Sequence, residues 1–191
     1  MPSFIGIDPG VNGAIACVGD STEVHKMPET EKDTFELLRA MMIRCNVAYA
    51  LIEELHALPH AIEEKMGIHR GSIATWKLAQ HYGSLRMALI AAGIPFEEKI
   101  PRTWQKIMGL QPHAGKNASK AKAQQLFPQI KCTHAISDAL LIACTARILW
   151  MNAAPGRFQQ FQPDKPAEIS KLGNMGLVDA STQYLSDILK I

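Results

Sequence analysis

The stretch Phe4-Ile-Gly-Ile-Asp-Pro-Gly-Val-Asn-Gly-Ala14 decides how the rest of the chain is read. Phe4–Asp8 is a short apolar run ending in an acid, and Gly13–Gly19 is a second apolar run. Pro9 to Asn12 between them is turn material, so the two runs form a hairpin with Asp8 at the end of its first strand. Thr22–Met27 reads as a third strand. Beyond it, Lys32–Cys45 carries Phe35, Leu38, Met41 and Met42 at helical spacing, with Asp33 near its start. Val47–Ile52 is an apolar run ending in Glu53-Glu54, a buried strand. Ser72–Ala92 is a long helix stopped at Gly93, and Ile94–Ile100 is another strand. Pro101 opens a short helix at its favoured first-turn position, and Ala118–Phe127 and Thr133–Met151 are two more. The order β-β-β-α-β-α-β-α-α-α is that of a mixed α/β domain. It spans 1–151, and residues 152–191 form an extension: a linker with Pro155, Gly156, Pro163 and Pro166, then an amphipathic helix over 178–191.

The 191 residues are 47% hydrophobic and 20% charged, which suits one globular domain with about forty residues to spare. No apolar run reaches ~18 residues without a charge, which argues against a membrane span. Asp8 interrupts any signal peptide. Cys17, Cys45, Cys132 and Cys144 are widely spaced and read as reduced thiols in a cytoplasm, neither disulfides nor a zinc site. The net charge of +2 conceals an asymmetry. From Lys99 to Ser137 there is no acid, yet there are seven bases: Lys99, Arg102, Lys106, Lys116, Lys120, Lys122 and Lys131. Such a stretch is either a solvated basic face or a surface for a polyanion.

Three acids stand in apolar surroundings: Asp8 and Glu53 at strand ends, and Asp138 within Ala-Ile-Ser-Asp-Ala-Leu-Leu-Ile-Ala of the last helix. His134 lies four residues before Asp138, on the same helical face. Each alone reads as a cap, a solvated end or a local hydrogen-bonded pair. Together they suggest oxygen-rich ligation of a hard cation, Mg²⁺ or Mn²⁺.

Phe4–Ala14 and Leu51-Ile-Glu-Glu-Leu-His-Ala-Leu-Pro59 resemble RuvC-type Holliday junction resolvases, especially phage-borne ones. The resemblance continues through Gly83-Ser-Leu, Gly93-Ile-Pro, Pro101-Arg-Thr-Trp-Gln-Lys, Lys116…Lys120-Ala-Lys-Ala-Gln-Gln-Leu-Phe-Pro and His134-Ala-Ile-Ser-Asp-Ala-Leu-Leu-Ile-Ala. It covers roughly residues 4–150 in one consistent order. It implies a ribonuclease-H-like fold: a five-stranded mixed sheet flanked by helices, with acids converging from strand one, strand four and the last helix. By motif position those acids are Asp8, Glu53 and Asp138, and His134 takes a place where relatives carry Asp or His. Strand alternation allows only one of Glu53 and Glu54 to share Asp8's side, and the family pattern favours Glu53. The implied activity is resolution of branched DNA by a homodimer making paired nicks, with two Mg²⁺ per site and Mn²⁺ as substitute. Asp8, Glu53, His134 and Asp138 are the expected catalytic and metal-binding residues. Lys99, Arg102, Lys106, Lys116, Lys120 and Lys122 are the expected DNA contacts, and Leu58 or Met66 the wedge at the junction centre.

Three other readings share features of the sequence. An actin- or sugar-kinase-like ATPase needs two such domains, for which the chain is too short. A ribonuclease-H-fold nuclease acting on RNA/DNA hybrids or RNA precursors would keep the same chemistry. A non-catalytic binding module would have no use for three acids in apolar settings.

Overall fold

The computed structural model describes residues 1–55, 71–111 and 116–153. Leu58, His60, Met66, His69 and Arg70 lie outside them, as do 154–191.

Three antiparallel strands open the fold: β1 (Ser3–Asp8), β2 (Ala14–Val18) and β3 (Thr22–Lys26). Then come α1 (Glu31–Cys45), β4 (Val47–Glu53), α2 (Ser72–Ala91), β5 (Phe96–Lys99), α3 (Pro101–Ile107), α4 (Lys116–Leu126) and α5 (His134–Met151). The sheet order is β3-β2-β1-β4-β5, with β4 and β5 parallel to β1. Every strand and helix expected within the described residues is present, with ends shifted by at most two residues, and the helix expected over 178–191 lies outside them. The β1–β2 connection turns at Gly10, whose φ of +134° is ordinarily open only to glycine. The start of α1 falls one residue earlier than the apolar spacing suggested, because Thr30 is the cap. Its Oγ1 accepts the Asp33 N–H at 3.0 Å and donates to the Asp33 carboxylate at 2.6 Å.

The two faces of the sheet are packed differently. Ile5, Ile7, Ile15, Cys17, Ala50 and Ile52 point to one face and join Leu38 and Met41 of α1 with Leu85, Ala88 and Leu89 of α2 in a single core. On the other face α5 lies across β1, β2 and β4. By composition and length α5 could cross a membrane, but Ala139–Ala143, Thr145 and Ala146 are buried in the fold, so its apolar character is that of a core helix. Its approach to β1 is very close. A Cβ on Gly6 would come within 2.1 Å of the Ala139 carbonyl oxygen and 2.2 Å of the Ala143 nitrogen. Gly6 is the only residue type that allows helix and strand backbones to touch here. At the far end, Trp150 rests against Phe4 and Tyr49, neighbours in the β1–β4 register, with ring centroids 6.2 and 6.1 Å apart.

Candidate active site

The sheet register carries the first two acids to one place. Gly6 pairs with Leu51 and Ile7 with Ile52 across β1 and β4, so Asp8 at the end of β1 stands beside Glu53. With a period of two, Asp8 and Glu53 lie on the same face as Gly6, the face covered by α5. The close contact of Gly6 with Ala139 and Ala143 sets α5 down so that Asp138, the residue before Ala139, comes over the same strand ends.

Electrostatics report the convergence. The Asp8 carboxyl is pushed up to about 7, first by burial and then by the negative charges of Glu53 and Asp138. Glu53 is also raised, chiefly by burial and by Asp138, while a hydrogen bond from Trp104 holds it back. That bond runs from the Trp104 indole Nε1 to Glu53 Oε2 at 2.7 Å. Trp104 belongs to α3 and is 1% exposed. Its role was not read from the sequence, although Trp104 stands in the quoted Pro-Arg-Thr-Trp motif: a buried indole must find an acceptor, but nothing in the sequence says which.

Glu54 takes the opposite side of β4. Its charge acts on Tyr82 of α2, whose hydroxyl donates to Glu98 at 2.8 Å. Strand alternation therefore separates the pair, with Glu53 on the side of Asp8. His134 is the exposed first residue of α5, one turn before Asp138. Of the basic residues, Arg102 and Lys106 are exposed on α3 and Lys120 on α4, with Lys122 partly buried. Both helices pack on α5, which brings them to the side of the sheet that carries the acids. Lys116 begins α4. Lys99 is engaged differently. It pairs with Glu53 in the β4–β5 register and binds Glu97 at 3.0 Å.

Three half-buried carboxylates at one point are costly unless a cation offsets them. Their chemistry suits a hard divalent cation: three carboxylates, with the one imidazole of His134 a helical turn from Asp138. Among the described residues, the cluster of three metal-ligating side chains whose donor atoms all lie within 4.8 Å of one another is a different one, Cys17, Glu23 and Cys45.

No family model matches the chain. Two curated proteins resemble it, each over 73% of this chain and 86% of its own length. A crossover junction endodeoxyribonuclease RuvC of Mesorhizobium japonicum is 28% identical over 147 residues, and its counterpart in Allorhizobium ampelinum 26% identical over 145. Among solved structures, Thermus thermophilus RuvC in complex with Holliday junction substrate superposes with a TM-score of 0.57 at 17% identity, covering 79% of this chain and 96% of that one. Thermus thermophilus RuvC in a second structure gives 0.56 at 18% identity, covering 78% and 95%. In sequence this chain is thus similar to two crossover junction endodeoxyribonucleases RuvC, and in fold to the solved RuvC structures.

Proposed function

We propose that the chain is a divalent-metal-dependent endonuclease that resolves four-way or otherwise branched DNA, acting as a homodimer. The observation that carries this is the meeting of Asp8, Glu53 and Asp138 on the α5 face, with Asp8 pushed up to about 7 by burial and then by the charges of the other two.

These three carboxylates are the residues that would hold the cations, two Mg²⁺ or Mn²⁺ per site, with Asp8 as the shared ligand. When bound there, such ions supply an activated water and charge for the leaving 3′-oxygen. The chain itself supplies position. The Trp104 N–H fixes one oxygen of Glu53 and leaves the other to turn toward Asp8. His134 shares a helical face with Asp138, where it ligates a cation or orients the attacking water. Arg102 and Lys106 on α3, with Lys116, Lys120 and Lys122 on α4, would hold the phosphates on either side of the scissile one without reading sequence. Lys99, tied to Glu97, is better suited to balancing charge beside Glu53 than to reaching into DNA.

A junction has approximate two-fold symmetry, so paired cuts call for two such sites in a C₂ dimer. The long helix α2 supports that assembly. Leu85, Ala88 and Leu89 face the core, while Ile73 at 72% exposure, Trp76 at 71%, Met87 and Ile90 stand in solvent. The helix is apolar on more sides than its own fold covers.

The decisive experiment incubates the purified chain with a labelled four-way junction, with Mg²⁺ or with EDTA, beside linear duplex and an RNA/DNA hybrid. Paired symmetric nicks in the junction alone, only with Mg²⁺ and lost in Asp8→Asn, are expected. Cleavage of the hybrid and not the junction would move the function to another nuclease of the same fold.

A further inference from the structure

On the sheet face opposite the acids, a second group of ligating side chains is brought together by the β2–β3 hairpin and the end of α1. Cys17 on β2 is directly opposite Glu23 on β3, and His25 follows Glu23 by two residues on the same face, opposite Ile15. Cys45 is the last residue of α1. Donor atoms of Cys17, Glu23 and Cys45 all lie within 4.8 Å of one another. The Cys45 thiol donates to Glu23 Oε1 at 3.3 Å, and His25 Nε2 lies 3.6 Å from Glu23 Oε2. That nitrogen is shielded from solvent, with the Glu23 carboxylate as its neighbour.

We propose that Cys17, Glu23, His25 and Cys45 bind one thiophilic divalent cation of the zinc type.

Two sulfurs, one imidazole nitrogen and one carboxylate oxygen are a donor set for Zn²⁺ and a poor one for Mg²⁺. With metal–ligand bonds of 2.0–2.3 Å, the edges of a tetrahedral site are about 3.3–3.8 Å. The Cys45–Glu23 separation of 3.3 Å falls in that range; His25, 3.6 Å from Glu23, stands outside the group of three and would be drawn in as the fourth ligand. Charge is also provided for. A dication with two thiolates and a carboxylate leaves a net −1, and the Arg44 guanidinium stands 3.3 Å from both Glu23 oxygens. Loading replaces two S–H bonds with two S–metal bonds and releases two protons to solvent. Without the cation the thiols keep those protons, since burial and then the neighbouring Cys45 and Glu23 push Cys17 up to about 12. Binding therefore tightens as pH rises. The bound ion would tie the end of α1 to the hairpin, immediately before β4.

The test uses the full chain, reduced with a phosphine and stripped by chelator, titrated with Co²⁺ as a spectroscopic stand-in for Zn²⁺. One equivalent of Co²⁺ should produce a thiolate-to-metal charge-transfer band and the visible bands of tetrahedral cobalt, both displaced by one equivalent of Zn²⁺. Zn²⁺ in hundredfold excess over its Kd should raise Tm by roughly 5–10 °C. Cys45→Ser should abolish the band, and Glu23→Gln or His25→Ala should weaken binding at least tenfold. Cys132→Ser should leave the band intact, as should the double variant Asp8→Asn/Glu53→Gln, which separates this site from the nuclease acids whether or not they cut DNA. No charge-transfer band with stoichiometric Co²⁺, or a band that survives Cys45→Ser, would overturn the assignment.

Discussion

Asp8 carries the sharpest consequence of the charge arrangement. Its folded carboxyl prefers the proton up to about 7, against 3.8 when exposed, so ionising it in the fold costs about 4 kcal/mol. Because the folded value is raised, this cost is absent at low pH and appears as pH rises from about 4 through 7. The metal-free protein should therefore lose stability over that range. Asp8→Asn should raise its Tm at pH 8 by about 5–10 °C, with the advantage vanishing near pH 4; thermal melts in EDTA across pH measure it. Divalent cations should remove the difference by satisfying the carboxylates. Trp104 makes a second residue-scale prediction. Trp104→Phe keeps the ring in the core but deletes the N–H to Glu53, so Glu53 should bind protons more tightly still. Cleavage should then need several-fold more Mg²⁺, and the acid limb of its pH profile should move up; an unchanged profile would deny Trp104 that role. Asp8, Glu53 and Asp138 were legible in the sequence because an acid in an apolar setting is expensive and therefore conspicuous. Trp104 was not, since a Trp looks alike in sequence whether its indole meets a carbonyl, a water or a carboxylate. Lys99 read as one of a basic run for the same reason. Its partner Glu97 is two residues away, just outside the acid-free stretch, and only the strand's alternation places the two side by side.

At the scale of elements, the strands and helices followed from apolar periodicity, and the misplaced ends have local causes such as the Thr30 cap. The packing of α5 on β1 did not follow from periodicity. It depends on one hydrogen atom at Gly6 and on small residues, Ala139 and Ala143, facing it, a pattern that reads in sequence as a merely weak strand position. Gly6→Ala should force the helix off the sheet and destabilise the fold by about 3 kcal/mol, measured by urea unfolding. Cleavage should fall further than stability explains, since Asp138 moves with the helix. Ala143→Gly in the same helix should cost only about 1 kcal/mol of helix propensity and keep the acids in place. Equal loss of activity in both variants would show that Gly6 does not set the position of Asp138.

At the scale of the whole molecule, the exposed apolar residues of α2 predict a self-associating protein. Trp76→Glu combined with Ile73→Lys should convert a dimer to a monomer in light scattering while leaving the monomer's melting behaviour nearly unchanged, because neither side chain contributes to the core. Paired nicking should become single nicking. The sequence showed an excess of apolar residues on this helix but left open whether the fold or a partner covers them, because hydropathy counts side chains and does not say which way the surplus faces. The order of the elements has one more consequence, in time rather than in space. Asp8 and Glu53 are in place once β4 has joined β1, but Asp138 arrives on α5, after every strand has been synthesised. A chain still on the ribosome therefore presents an open sheet face with two of its three acids and no helix to complete them. The nuclease activity proposed above would await the docking of this last helix, and a product truncated before His134 would lack the third acid.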